Sequence, residues 1–295
     1  SSSAHTSTAP TPTAPPTTAA PATGDWTRFG FDPARSGVNS EPSALNTASA
    51  HQLHRLWQVT LPAVADSSPL LLHAVRQPDG STRDMLYVTT RDGRLLALAA
   101  RDGTRLWSHQ PHGPKITHSS PVVSADRQFV YAYGLDGALH KYAAATGTEV
   151  VGGNWPVRIT TMIQSEKESS ALNEANGHIY VTTSGYIGDA PPYQGHVVAV
   201  DEQSGASVVF NSLCANVTHL LAPGECSAEQ SGIWARAGAV VDPTNGEVYT
   251  TTGNGPFDAN SGGHEYGDTV LALDGTSLQL LDSYTPATYQ QLDMS

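Results

Sequence analysis

The chain has 295 residues, of which 39% are hydrophobic and only 14% charged, with a net charge of −12. Nucleic-acid binding needs clustered Lys and Arg, which this sequence lacks, and the same acidity disfavours docking on anionic lipid. No stretch reaches the roughly 18 apolar residues of a membrane span, and the length suits one large all-β domain or two smaller ones.

Residues 1–24, SSSAHTSTAPTPTAPPTTAAPATG, are almost purely Ser, Thr, Ala and Pro. Such a segment buries too little apolar surface to offset its ordering entropy, so a disordered tether is expected. It carries no Met and no basic-then-apolar leader. Tethers of this kind follow cleaved export signals or lipid anchors, and the alternative is a tail without a role. The leader at 25–62 is expected to hold a short helix near 47–55 and a strand at 55–60.

From residue 63 the chain repeats itself. SSPLLL (67–72), SSPVVS (119–124) and SSALNE (169–174) recur about fifty residues apart. After them come strands with a tyrosine, MLYVTT, FVYAYG, HIYVTT and EVYTTT, carrying Tyr87, Tyr131, Tyr180 and Tyr249. A further strand follows, then a turn with Gly103, Gly147, Gly205 or Gly275, then a last strand. Alternating apolar residues and Gly turns signal antiparallel sheet. Four strands in each such unit match a propeller blade, whereas a sandwich would not repeat and a solenoid repeats faster. The expected fold is therefore all-β, a propeller of four-stranded antiparallel blades at about 63–111, 112–160, 161–215 and 230–286.

Cys214 and Cys226 are the only cysteines. With the tether and the low charge they are read as a disulfide in an extracytoplasmic protein, with two buried thiols as the alternative. Next comes TTGNGPFDANSGGHEYGDTVLALD (251–274), in which about a dozen polar residues separate two strands that a hairpin would join with two to five. Glu166 and Glu168 flank Lys167 and Ser169 on a strand approach, which reads as a solvated face. Gly253-x-Gly255 is no dinucleotide fingerprint, and no nucleophile elbow, phosphate loop or zinc-spaced set occurs.

LLALAARDGTRLW (95–107) resembles the repeat of pyrroloquinoline quinone (PQQ) β-propellers, whose closing Trp docks one blade on the next. Trp57 and Trp107 match that Trp, while Val151, Phe210 and Leu281 stand there in later units. The likeness covers 25–295. Because such propellers close with about seven or eight blades, it implies the N-terminal half of a longer ring, with strand 55–60 completing the last blade.

Two segments resemble PQQ-dependent alcohol dehydrogenases more closely. SGYIGDAPPYQGHVVAVDEQSG (184–205) is similar to their loop with a calcium-binding Glu, and Thr252-Gly253-Asn254-Gly255-Pro256 to their Thr-Gly-Asn-Pro loop, whose Asn binds calcium. The resemblance implies Asn254 and Asp189 as calcium ligands, and Asn254 and Trp234 as cofactor contacts. The structural alternatives are a turn residue for Asn254 and blade packing for Trp234.

The departures are plain. Asp189 stands in for the Glu, the vicinal cysteine pair is absent, and Thr285-Pro286 leads to Ala287 rather than a catalytic Asp. No catalytic residue is assigned. These features predict an exported binding or scaffold module, contacting protein or glycan through rim loops or its own C-terminal half. Neither PQQ nor calcium is expected to bind. The alternative is a PQQ- and calcium-dependent alcohol or polyol dehydrogenase whose remaining residues lie beyond the chain.

Overall fold

Four antiparallel sheets follow one another along the chain. The computed structural model describes residues 24–40, 45–186 and 190–292; the tether expected at 1–24 lies outside them but for Gly24. Blade one holds β1 (Leu70–Arg76), β2 (Thr82–Thr89), β3 (Leu95–Ala99) and β4 (Arg105–His109). Blade two holds β5 (Val122–Val123), β6 (Phe129–Tyr133), β7 (Ala138–Ala143) and β8 (Val157–Arg158). In blade three the inner strand is split into β9 (Glu166–Glu168) and β10 (Asn173–Ala175), both paired with β11 (His178–Gly185), followed by β12 (His196–Asp201) and β13 (Ser207–Asn211). Blade four holds β14 (Val240–Val241), β15 (Val248–Thr251), β16 (Val270–Leu273) and β17 (Leu280–Tyr284).

The split in blade three has a cause in its neighbours. Between β9 and β10, Leu172 N donates to Ser120 O (3.1 Å) and Ala171 N to Arg236 O (3.0 Å). The inner edges of blades two, three and four are thus stitched together where blade three leaves its own ladder.

The apolar core lies between blades. Leu70, Met85 and Tyr87 pack on Val123, Val130 and Tyr142 of blade two. Tyr131 and Leu139 pack on Ile179 and Val198 of blade three, and Tyr180 and Val197 on Val248 and Leu271 of blade four. Each blade hides one face on the next, which is why its strands carry apolar residues on both faces.

Two of the repeated tyrosines tie these joints through their hydroxyls. Tyr87 Oη donates to Ala144 O (3.1 Å) and Tyr180 Oη to Gly275 O, each in the closing turn of another blade. The docking tryptophans meet the same turns. Trp57 Nε1 donates to Ala100 O (3.0 Å) and Trp107 Nε1 to Ala144 O (3.2 Å). A Cβ on Gly147 would stand 2.6 Å from the Trp107 ring, and its φ is +73°. Gly147→Ala therefore combines overpacking with a left-handed alanine and should cost about 2 kcal/mol, read as a lower urea midpoint at unchanged slope.

The later joints differ from the sequence reading. Val151 and Leu281 are exposed, and Phe210 lies in the cluster between blades three and four. Trp155, just before β8, takes the docking place instead, its indole 3.0 Å from where a Cβ on Gly205 would stand. The chain wanders between Glu149 and Trp155, so the fixed repeat spacing missed it.

The leader also differs. The helix expected near 47–55 is a 3-10 turn, Ala50–Gln52, with no buried residue to hold a longer one. Residues 55–60 form no strand: Trp57 docks on blade one, but none of the described strands pairs with the backbone beside it. Residues 25–35 instead cross the lower ends of all four inner strands. Trp26 pairs with Leu71, Thr27 O accepts from Val123 N (3.0 Å), Arg28 pairs with Glu174, and Pro33 O accepts from Val241 N (2.9 Å).

Candidate functional site

At the upper rim, opposite the docking turns, the Ser-Ser repeats bring polar side chains to the propeller axis. Asp66 and His118 directly precede them, and Lys167 and Arg236 enter from blades three and four. Asp66 Oδ2 lies 3.5 Å from both Arg91 Nε and His118 Nε2. Arg236 reaches across from blade four to donate to Asp66 O. Lys167 Nζ donates to Ser169 Oγ and, at 3.3 Å, to His118 Nδ1, and Ser169 Oγ lies 2.9 Å from Ser184 Oγ.

The rim is cationic in an acidic protein. Burial, helped by Lys167 and Arg91, holds His118 below its ordinary range, so it is a neutral ring that accepts from Lys167. Burial, with Arg91 and Arg236 nearby, lowers Lys167 to about 8, against the pull of Glu168. Burial raises Glu168 to about 8, against the pull of the Ser119 hydroxyl, Lys167 and the Ser170 backbone. At neutral pH Lys167 is therefore mostly charged and Glu168 mostly protonated, with Arg91 and Arg236 both on Asp66.

Glu166 and Glu168 correct the expectation of a solvated face: both are fully buried. They sit on β9, the innermost strand of its blade, where no side faces bulk water. Glu166 accepts from Gln194 N (2.8 Å) and Thr160 Oγ1 and lies 3.3 Å from His196 Nε2.

Trp234 is 44% exposed and belongs to none of the inter-blade clusters. A Cβ on Gly253 would fall 2.0 Å from its ring, so the indole lies directly on that backbone. A Cβ on Gly232 would be 3.0 Å from both the indole and Ser184 Cβ, which places Trp234 beside the Ser184–Ser169–Lys167 chain. Asn254 follows Gly253, half-buried, with its carbonyl accepting from Ser231 N (2.7 Å). Its φ is not left-handed, so no turn conformation demands asparagine there. Asp189 lies outside the described residues.

The long insertion after β15 clasps the neighbouring connection. Tyr266 N donates to Ser212 O (2.9 Å), Ala215 N to His264 O (3.1 Å) and Cys214 N to Glu265 Oε2 (3.1 Å). Asp258 folds the insertion on itself by accepting from Glu265 N (2.9 Å). Cys214 and Cys226 are disulfide-bonded, as the sequence suggested, around a small cluster of Leu213 and Leu221.

Calcium needs about six to eight hard oxygens, and of the two ligands the resemblance implies only Asn254 lies among the described residues. Among the described residues the single converging group of three is Cys214, Cys226 and Glu265, and its sulfurs are spent in the disulfide. At the axis, ammonium and guanidinium groups outnumber ionised carboxylates. Sequence reasoning missed Lys167, Arg91, Arg236 and His118. The signal available was position, since Asp66, His118 and Glu168 occupy one place in successive repeats.

The sequence profile described as glucose/ethanol/alcohol dehydrogenase, β-propeller domain (PQQ) matches residues 26–279. Among solved structures, a quinohemoprotein alcohol dehydrogenase from Comamonas testosteroni is similar over 89% of this chain and 41% of its own, with 19% identity and a TM-score of 0.66. One from Pseudomonas putida is similar over 89% and 40%, with 18% identity and a TM-score of 0.63. A europium-containing methanol dehydrogenase is similar over 89% and 49%, with 18% identity and a TM-score of 0.62. The chain spans less than half the length of these three structures, and at such identities the likeness shows the fold alone. No curated protein sequence matches.

Proposed function

Because the chain belongs to the PQQ β-propeller family of glucose, ethanol and alcohol dehydrogenases, we propose that its axial rim binds a planar, anionic ligand of the quinone-cofactor class. In this reading it is an extracytoplasmic binding module, not a calcium-dependent dehydrogenase complete in itself. The observation that carries the reading is Trp234, an exposed indole backed by Gly253, with Ser184 of the Ser169–Lys167 chain across Gly232 from it. PQQ is a flat tricarboxylate, and aromatic faces and ammonium groups are what such a molecule recognises. The departures from the alcohol dehydrogenase pattern argue against any cofactor; the exposed ring and the charged rim move that reading to binding without the metal. The disulfide supports an oxidising compartment. The clasped insertion is a rim surface through which protein or glycan partners could also be met.

Titrating PQQ into the full chain should quench tryptophan fluorescence saturably at one equivalent. Trp234→Leu should weaken binding about two- to tenfold, as expected for an aromatic stack worth about 0.5–1.5 kcal/mol. Affinity should fall as pH rises through about 8: Lys167 loses its positive charge while Glu168 gains a negative one, and both changes repel an anion. Linear, unsaturable quenching would dismiss the ligand and leave the rim-surface role. Dye reduction that depends on a primary alcohol would replace binding with the dehydrogenase reading.

A further inference from the structure

We infer that the axial site is independent of divalent metal, with the ammonium of Lys167, flanked by Arg91 and Arg236, supplying the fixed positive charge for the ligand's oxygens. This rests on the ligand reading above and adds which group provides the charge. A hard cation at a quinone site does two things: it anchors anionic oxygens and it polarises a carbonyl. An ammonium held by its neighbours can do both, as a hydrogen-bond donor with a full charge.

Lys167 is held in that way. Its residue is buried on β9, its Nζ is fixed on Ser169 Oγ and His118 Nδ1, and Ser184 behind Ser169 ties it to the Trp234 side of the rim. Its Nζ also stands 5.8 Å from the Tyr186 ring centroid, on whose face Lys115 lies at 4.3 Å. Tyr186 Oη is itself anchored on Ile163 O (3.1 Å).

The same surroundings reject a second cation. A divalent ion placed beside Lys167 would meet Arg91 and Arg236 as well, while Asp66 is already engaged by Arg91 and His118 and Glu168 is protonated at neutral pH. Coulomb repulsion at such range, inside a partly desolvated rim, is far stronger than in water. The loop that would have to bring the family's calcium carboxylate offers Asp189 instead of Glu.

Isothermal calorimetry of the full chain with PQQ, in excess EDTA and again in excess calcium, tests this. The expected result is one affinity in both buffers, weakened about tenfold or more by Lys167→Met and largely kept by Lys167→Arg. Circular dichroism checks the fold of each variant. Should Lys167→Met not fold, the exposed Arg236→Gln carries the test, with a severalfold loss expected in EDTA and an unchanged affinity overturning the inference. Binding that appears only with calcium overturns the metal-independent site, and a folded Lys167→Met equal to the parent in EDTA overturns the role given to Lys167; both leave the ligand reading intact. No heat in either buffer overturns the ligand reading, and this inference with it.

Discussion

Glu174→Ala should lower the stability of the chain by about 3–5 kcal/mol, a large effect for a single replacement. Glu174 and Arg28 are both buried, with side chains 1% and 7% exposed, and Arg28 Nη2 donates to Glu174 Oε2 at 2.8 Å. Arg28 Nη1 also serves Asn173 Oδ1 (3.2 Å) and Glu174 O. Removing the carboxylate leaves a guanidinium buried against backbone with no counter-charge, and desolvating an unpaired ion is what makes the change severe.

The same physics predicts that replacing both partners is milder. Arg28→Met with Glu174→Met removes the stranded charge, so the double variant should recover more than half of the loss. Urea midpoints for the two single variants and the double settle the matter. A Glu174→Ala loss under about 1 kcal/mol would mean that water reaches Arg28 and that the leader is not clamped as described. Because Arg28 belongs to the segment crossing all four inner strands, hydrogen exchange in the Glu174→Ala variant should rise first along residues 25–35 and β10.

The parts of this fold legible in the sequence share one property: local periodicity decides them. Alternation in MLYVTT or VVAVD sets a strand and its two faces, and Gly at a fixed place after each third strand sets the turn. Trp107 could be read because it sits at a constant distance from Gly103 within one unit. Trp155 could not, since the chain between β7 and β8 is irregular and sets it at no constant distance from Gly147.

The axial site was hidden for a related reason. The run Glu166-Lys167-Glu168-Ser169 has the composition of a wet surface, and only the radial arrangement of blades puts that strand innermost and dry. Period-two reasoning tells which residues share a face but not which edge of a sheet meets the axis. Likewise the leader's contacts with Leu71, Val123, Glu174 and Val241 each span more than forty residues, beyond any local pattern. Asn254 and Trp234 were named only through resemblance, and the fold shows what surrounds them: Gly253 beneath the ring and Ser231 on the Asn254 carbonyl.

Loss of the Cys214–Cys226 bond should cost about 3 kcal/mol and should be felt first in the insertion rather than in the blades. The bridge joins residues 12 apart, and constraining a loop of that size in the unfolded chain accounts for a loss of about this magnitude. The local part follows from what the loop holds. Cys214 N is a donor to Glu265 Oε2, Ala215 N to His264 O and Tyr266 N to Ser212 O, so the bonded loop is one jaw of the clasp and residues 257–267 are the other. Cys214 also has a φ of +53°, a conformation that an L residue keeps only where its surroundings impose it. With the bridge gone that constraint relaxes, Glu265 loses its donor, and its partly desolvated carboxylate favours turning to water. A Cys214→Ser, Cys226→Ser variant should therefore melt roughly 6–12 °C lower. Amides of 257–267 should exchange faster before β6 or β11 change, and Glu265→Gln should reproduce part of the local effect with the disulfide intact. Since Gly253 and Asn254 enter the axial rim from the base of this insertion, PQQ affinity should weaken in both variants while Lys167 is untouched. Uniform acceleration of exchange over all four blades, with the insertion no faster than the rest, would show that the bridge stabilises the domain as a whole and that the clasp does not position the rim.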